Sequence, residues 1–225
     1  MWCAVNDDDD YGSPFFLSYA RTTEGSAGGG EVLDPDGYVE KFFHDLADNV
    51  GQLIYPRADV PAGFMDQDMP GGMQWPDQLL RAVGTCQVLV ALLSARYLRS
   101  GWCRMEWHAF SQRAMREVPG AEAPPRQGCI IPVIWAPFHS TLPEHIKPVT
   151  IFSPTRDPEP SAPVYYQRNG VLGLMRMRRL RACYEIVTWQ LALHIAHIYH
   201  SQRTEHRKFD VAELRKVLRD DGHGG

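Results

Sequence analysis

Residues 94–110 read SARYLRSGWCRMEWHAF, and an apolar run leads into them, Cys86-Gln-Val-Leu-Val-Ala-Leu-Leu93. A short apolar run bounded by polar residues predicts a strand buried on both faces. The run ends at Ser94, passes through an arginine-rich loop and reaches a helix near Ser100. Glu106 is the one carboxylate on that helix, set among Trp102, Cys103 and Trp107. A strand end, a loop and a helix start are where open α/β sheets place ligands. An isolated helical Glu is ordinarily a solvated surface charge. The aromatic neighbours, and a position one turn inside the helix, predict a partly desolvated acid beside a pocket instead. Glu106 follows Trp102 by four residues, which puts the two on one face, and Met105 and Ala109 are expected to face the sheet.

The elements before this stretch alternate between strand and helix. Pro14-Phe-Phe-Leu-Ser-Tyr-Ala20 predicts a buried first strand. Thr22 to Glu31 is rich in Gly and Ser and lacks the Gly-Lys-Ser/Thr of a phosphate-binding loop, so it reads as a surface loop. A helix starts near Asp34-Pro35-Asp36-Gly37. Val39, Phe43, Leu46, Val50 and Leu53 recur at steps of three and four, with Phe42 beside them, and His44 and Asp45 fall on its solvated side. Gly63-Phe-Met65 predicts a short strand. Asp66-Gln-Asp68-Met-Pro-Gly-Gly72 demands a loop, and Trp75-Pro76-Asp77 opens a helix with Leu79, Leu80 and Val83 on its apolar face and Gly84 as its stop.

After it, Gly128-Cys-Ile-Ile-Pro-Val-Ile-Trp135 predicts a fourth strand, imperfect at Pro132. Lys147 to Phe152 is a candidate fifth, and residues 153–164 form a Pro-rich loop. A long helix starting near Gly170 carries Leu180, Tyr184, Val187, Leu191, Ile195 and Ile198 at helical spacing. His194, His197 and His200 lie on it at steps of three, each a turn of about 300°, so no more than two can share a ligand. With no Cys or carboxylate at ligand spacing, a metal site is not expected. Arg176, Arg178, Arg179 and Arg181 cluster at the helix start and read as a solvated or acid-facing surface. Val211, Leu214 and Leu218 predict a short amphipathic helix within residues 205–220. The alternation implies a parallel sheet with helices on both faces.

The spacing Ser94-x-x-Tyr97-x-x-Ser100-x-Trp102-Cys103-x-x-Glu106, directly after a buried strand, resembles the corresponding segment of TIR (Toll/interleukin-1 receptor homology) domains, above all the plant and bacterial ones. Phe16-Leu-Ser18-Tyr19 resembles the end of that family's first strand, and Phe64-Met-Asp66 with the acidic and glycine residues after it resembles its BB loop. With the late Tyr184-Glu185-Ile-Val-x-x-Leu helix, the chain looks most like actinobacterial TIR-like proteins encoded with FxSxx-COOH peptide-modification clusters. The resemblance implies an α/β, flavodoxin-like TIR fold, with a central parallel sheet of about five strands, over residues 13–200. It leaves an acidic tail at 1–12 and a short helix and tail at 201–225.

In catalytic members of that family the Glu of this segment is essential for cleaving NAD, which puts that role on Glu106. The resemblance further implies a nucleotide-binding set of Ser18, Tyr19, Ala20, Arg21, Asp66, Ser94, Trp102 and Cys103. NAD is then a substrate, and no cofactor or metal is expected. Self-association or a partner protein is the implied assembly. The rival reading is a non-catalytic interaction module on the same fold, in which the BB loop and helix faces mediate assembly. A Glu at 106, rather than Gln or Ala, favours the enzyme. A phosphate-dependent receiver domain needs clustered strand-end Asp residues and a Lys partner, and is set aside.

Composition bounds these readings. The chain has 225 residues, 44% hydrophobic and 22% charged, enough for one domain with a good core. A net charge of -4 argues against non-specific nucleic-acid binding. The five Cys, at 3, 86, 103, 129 and 183, are odd in number and widely spaced, which predicts reduced thiols. No membrane-span-length apolar run and no leader pattern at Met1 to Asp10 are present, so a cytoplasmic location is expected.

Overall fold

A computed structural model of the chain describes residues 12–21, 35–55, 59–65, 77–120 and 128–214. The acidic stretch Asp7–Asp10, the glycine-rich loop, Asp66 and Asp68 of the predicted loop, Trp75-Pro76 and Leu218 lie outside the described residues.

Strands β1 (Phe15–Ser18), β2 (Gly63–Met65), β3 (Val88–Leu93) and β5 (Ile130–Ile134) form a four-stranded sheet in the order β2-β1-β3-β5. Every pairing in it is parallel. Helices α1 (Pro35–Leu53), α2 (Asp77–Thr85) and α3 (Gly101–Ser111) make the crossovers. The chain goes from β1 to one side and returns to the other, so the order reverses between β1 and β3. The C-terminal ends of the two strands at such a reversal are the general ligand position in doubly wound sheets.

Both faces of the sheet are covered, and strand alternation decides which side chain meets which layer. Phe15, Leu17, Val88, Val90 and Leu92 face a core shared with α1, α4 (Ala162–Arg176) and α5 (Arg181–Ser201). Phe16, Leu89, Ala91 and Leu93 face a second core with α2 and α3. Ser18, two residues beyond Phe16, therefore points to the α3 side. On α1 the core positions are Val39, Phe42, Leu46 and Val50, each buried, while Phe43 and Leu53 are only partly so. Asp45 is not simply solvated as expected: it accepts a hydrogen bond of 2.5 Å from Tyr184 of α5 and pairs with Lys41.

The sheet has four strands rather than about five. Residues 147–152 meet β5 through a single backbone bond, Phe152 N–H to the Pro132 carbonyl at 2.8 Å, and form no ladder. That bond also explains the proline. A strand residue's N and carbonyl point to the same side, and at Pro132 that side is the sheet's outer edge, where no ladder N–H is needed.

The long helix near Gly170 begins earlier than its spacing suggests. α4 opens at Ala162 with Pro163 in its first turn, is interrupted at Gly170 (φ 63°), and is followed by a 3₁₀ turn, Arg178–Leu180, before α5. A Cβ at Gly170 would lie 2.5 Å from the Trp135 carbonyl oxygen. Two short strands, β4 (Met115–Glu117) and β6 (Gln202–Thr204), pair antiparallel and had no signal in the sequence. Residues 205–210 form no regular element and lead to a helical turn at 211–214, so the helix expected from residue 205 starts later. Gly84 does not stop α2, which runs to Thr85. It is small because the Arg207 carbonyl would meet its Cβ at 2.2 Å.

Candidate functional site

The segment that joins β3 to α3 is built by two serines, six residues apart, each accepting the N–H of the residue three positions on. Ser94 Oγ accepts the Tyr97 N–H at 3.2 Å, which fixes the start of the 3₁₀ turn Tyr97–Arg99. Ser100 is the N-cap of α3, and its Oγ accepts the Cys103 N–H at 3.2 Å. Side-chain acceptors at such positions satisfy N–H groups that the helix cannot. The consequence is a fixed phase for α3. Cys103, Glu106, Trp107 and Phe110, along with Met105 and Ala109, are all buried, while Trp102 is half-buried.

Glu106 is thus carried into the molecule, 3% exposed, at the reversal between β1 and β3. There it meets Ser18, the last residue of β1, whose hydroxyl hydrogen-bonds to Glu106 Oε2. Ser18 is 1% exposed and also lies 3.2 Å from the Tyr97 hydroxyl. Burial pushes the Tyr97 hydroxyl well above its ordinary pKa, with Cys103 and Glu106 adding to the rise. Burial does the same to the Cys103 thiol, and the charge of Glu106 adds to it. Both groups therefore stay protonated at neutral pH.

Of the residues singled out in the sequence, the structure brings Ser18, Cys103 and Glu106 together. Tyr19, Ala20 and Arg21 continue the chain beyond β1 as half-buried residues. Ser94 has its hydroxyl committed to the turn, and Cys103 is 0% exposed, so it forms part of the packing under Glu106. Tyr97 had been quoted within the motif but assigned no role. Its signal was only its fixed spacing from Ser94.

A groove of about 660 Å³ lies on the opposite side of the sheet, between α1 and the α4–α5 pair, lined among others by Tyr38, Lys41, Asp45, Arg181, Tyr184 and Trp189. Its ionic groups largely satisfy one another, as Lys41–Asp45 and Arg181–Glu185 show. None of the residues around Glu106 lines it. Among the described residues no group of three or more His, Cys, Asp or Glu is arranged to hold a metal, and no helix is long and apolar enough to cross a membrane. The described cysteines, 86, 103, 129 and 183, are free and buried.

No curated protein and no solved structure matches the chain. The TIR domain family model does match, over residues 44–162, which is more than half of the 225 residues. The matched span contains β2, β3, β5, the two capping serines and Glu106, and the chain belongs to the TIR domain family.

Proposed function

We propose that this TIR-domain signalling or defence protein cleaves the nicotinamide–ribose bond of NAD, with Glu106 as the catalytic residue. The observation that supports the reading most is a buried carboxylate at the sheet's reversal point, hydrogen-bonded by Ser18. The bond that breaks joins C1′ of ribose to a cationic ring nitrogen. Its electron pair leaves with nicotinamide, which becomes neutral, so no acid is needed to protonate the leaving group. The demand falls on the ribose, which becomes oxocarbenium-like. A carboxylate in a low-dielectric crevice meets that demand by holding ribose hydroxyls and facing the developing positive charge.

Attack on C1′ by water gives ADP-ribose and releases a proton. Attack by the adenine of the same molecule, or by another base, gives cyclisation or exchange. Nicotinamide leaves in all three and is the product to follow. Tyr19 and Trp102 are the half-buried aromatic residues suited to stack on a ring, and Ala20, Arg21 and Asp66 complete the proposed nucleotide-contacting set. The burial of Glu106 means that NAD reaches it only after the groups covering it move apart. Association of chains is the expected trigger, so release rises more than linearly with protein concentration.

The same burial favours one other reading, in which Glu106 is a structural acid in a non-catalytic interaction module. Nicotinamide release from NAD by wild type and Glu106→Ala separates the two. Release by the wild type alone supports the enzyme. Equal release assigns any cleavage to another source. Silence of both at high protein concentration, with assembly shown by light scattering, supports the module.

A further inference from the structure

Three oxygen groups meet beneath the surface from three different parts of the chain. Ser18 comes from the end of β1, Tyr97 from the 3₁₀ turn and Glu106 from α3. Ser18 and Glu106 are 88 residues apart, and Ser18 and Tyr97 are 79 apart. All three are buried, at 1%, 3% and 3% exposure, so water does not substitute for a missing partner.

Ionisation of Glu106, which the catalytic reading requires, fixes the direction of these bonds. A serine hydroxyl has one proton and two acceptor sites, whereas an ionised carboxylate only accepts. With Glu106 ionised, the Ser18 proton goes to Oε2. The 3.2 Å bond between Ser18 and Tyr97 is then filled by the Tyr97 proton. The result is a one-way chain, from Tyr97 to Ser18 to Glu106. A hydroxyl that is itself receiving a hydrogen bond is a stronger donor.

Tyr97 is built to hold its place in this chain. Its N–H is bound by Ser94 Oγ at 3.2 Å, its carbonyl accepts the Ser100 N–H at 3.1 Å, and its ring is packed in the α2–α3 core. Burial keeps its hydroxyl protonated well beyond neutral pH. The Cys103 thiol also faces the cluster, and burial keeps it neutral.

We infer that Tyr97 is a positioning residue for Glu106, acting through Ser18: it directs the serine proton onto Oε2 and so helps to orient the carboxylate. This rests on the reading of Glu106 as the catalytic acid for its effect on rate, but not for its effect on the carboxylate itself.

The test is a double-mutant cycle with two readouts. Tyr97→Phe removes one oxygen and keeps the ring. It is expected to lower the kcat for nicotinamide release about tenfold with KM unchanged, the loss of one hydrogen bond to a charged pair. In a Ser18→Ala background the same change has no further effect. The second readout is the carboxylate stretch of Glu106 in isotope-edited infrared spectra, assigned by its loss in Glu106→Gln. Tyr97→Phe is expected to shift this band when Ser18 is present and to leave it unmoved when Ser18 is Ala. Equal shifts in both backgrounds, or a shift in neither, overturn the inference. A band that obeys the cycle in a protein that releases no nicotinamide upholds the positioning role and sinks the NAD-cleaving reading instead.

Discussion

The hydroxyl of Ser18, at the last position of β1, is bonded to Oε2 of Glu106, on the second turn of α3. One residue ends a strand that alternation has turned toward the α2–α3 layer. The other lies on a helix whose phase Ser100 has set. Their meeting is therefore a product of the sheet order and of one capped helix, not of any flexible loop.

From that relationship a separation of activity from stability follows. Glu106→Gln keeps the shape of the side chain and still accepts the Ser18 proton through its amide oxygen, but it removes the charge. Nicotinamide release is expected to fall about a thousandfold, on the scale of lost transition-state electrostatic support, while the thermal midpoint moves by no more than a few degrees. Substantial residual release from a properly folded variant takes catalysis away from Glu106.

The C-terminal segment is clasped to α2, and the clasp can be opened at one atom. The Arg207 N–H bonds the Gly84 carbonyl at 3.1 Å. The Arg113 guanidinium donates to the carbonyls of Val83, Cys86 and Glu205 at 3.0, 2.6 and 2.9 Å. Gly84→Ala places a methyl where the Arg207 carbonyl now sits, and is expected to cost about 1–3 kcal/mol by overpacking. The damage should be local: hydrogen exchange rises at residues 205–214 while the amides of β3 stay protected. Unchanged exchange at Arg207 would refute the clasp.

Gly170 is needed for its conformation as well as its size. With φ at 63° and ψ at 177°, it occupies backbone space that is essentially closed to other residues, and it lets the Leu172 N–H reach the Trp135 carbonyl at 2.9 Å. Gly170→Ala should lower the free energy of unfolding by about 1–3 kcal/mol in urea titration. An unchanged midpoint would show that the kink is not required.

Alkaline pH should weaken the fold well before any arginine titrates. Burial raises the Cys86 thiol to about 12, against a partial opposing effect from the Arg113 charge, and also raises Cys129 and Cys103. Tyr97, Tyr166 and Tyr184 are raised as well, in each case first by burial. A group whose folded pKa is raised holds its proton more tightly in the folded state. Its contribution is full below the unfolded value, about 8.5 for Cys and about 10 for Tyr. It is lost as pH rises from there through the folded value. Each such group removes roughly 1 kcal/mol per pH unit in its window. Urea midpoints should hold level up to about pH 8 and fall steeply above pH 9. A level profile through pH 10.5 would contradict the buried, protonated state of these groups.

The sequence was legible where its signals were local and reinforced one another. The run of Val and Leu before Ser94 reads as a buried strand and forms one, and the helix expected near Ser100 starts there, with Ser100 as its cap. Ser18 was readable as a strand end, but its bond to Glu106 was not, because nothing in β1 records which element will pack against it. Gly170 was read as a beginning because glycine interrupts a helical pattern. The structure uses it as a kink held by Trp135, a partner 35 positions away in sequence. β4 and β6 gave no signal because strands of three mostly polar residues, pairing across more than 80 positions, leave no periodicity. The apolar stretch at 147–152 promised a strand, yet the edge offered by β5 accepts only one bond, at the Pro132 carbonyl.

The sheet order has a practical bearing on where this protein can be cut. The family match begins at residue 44, inside α1, and so omits β1. Yet β1 lies between β2 and β3 and is the strand through which β2 joins the sheet. A fragment trimmed to the matched span would lose an interior plank rather than a border, along with the serine bonded to Glu106 and the whole of α5. Cloning limits for this chain are better drawn from Gly12 to Leu214 than from the region of recognisable likeness.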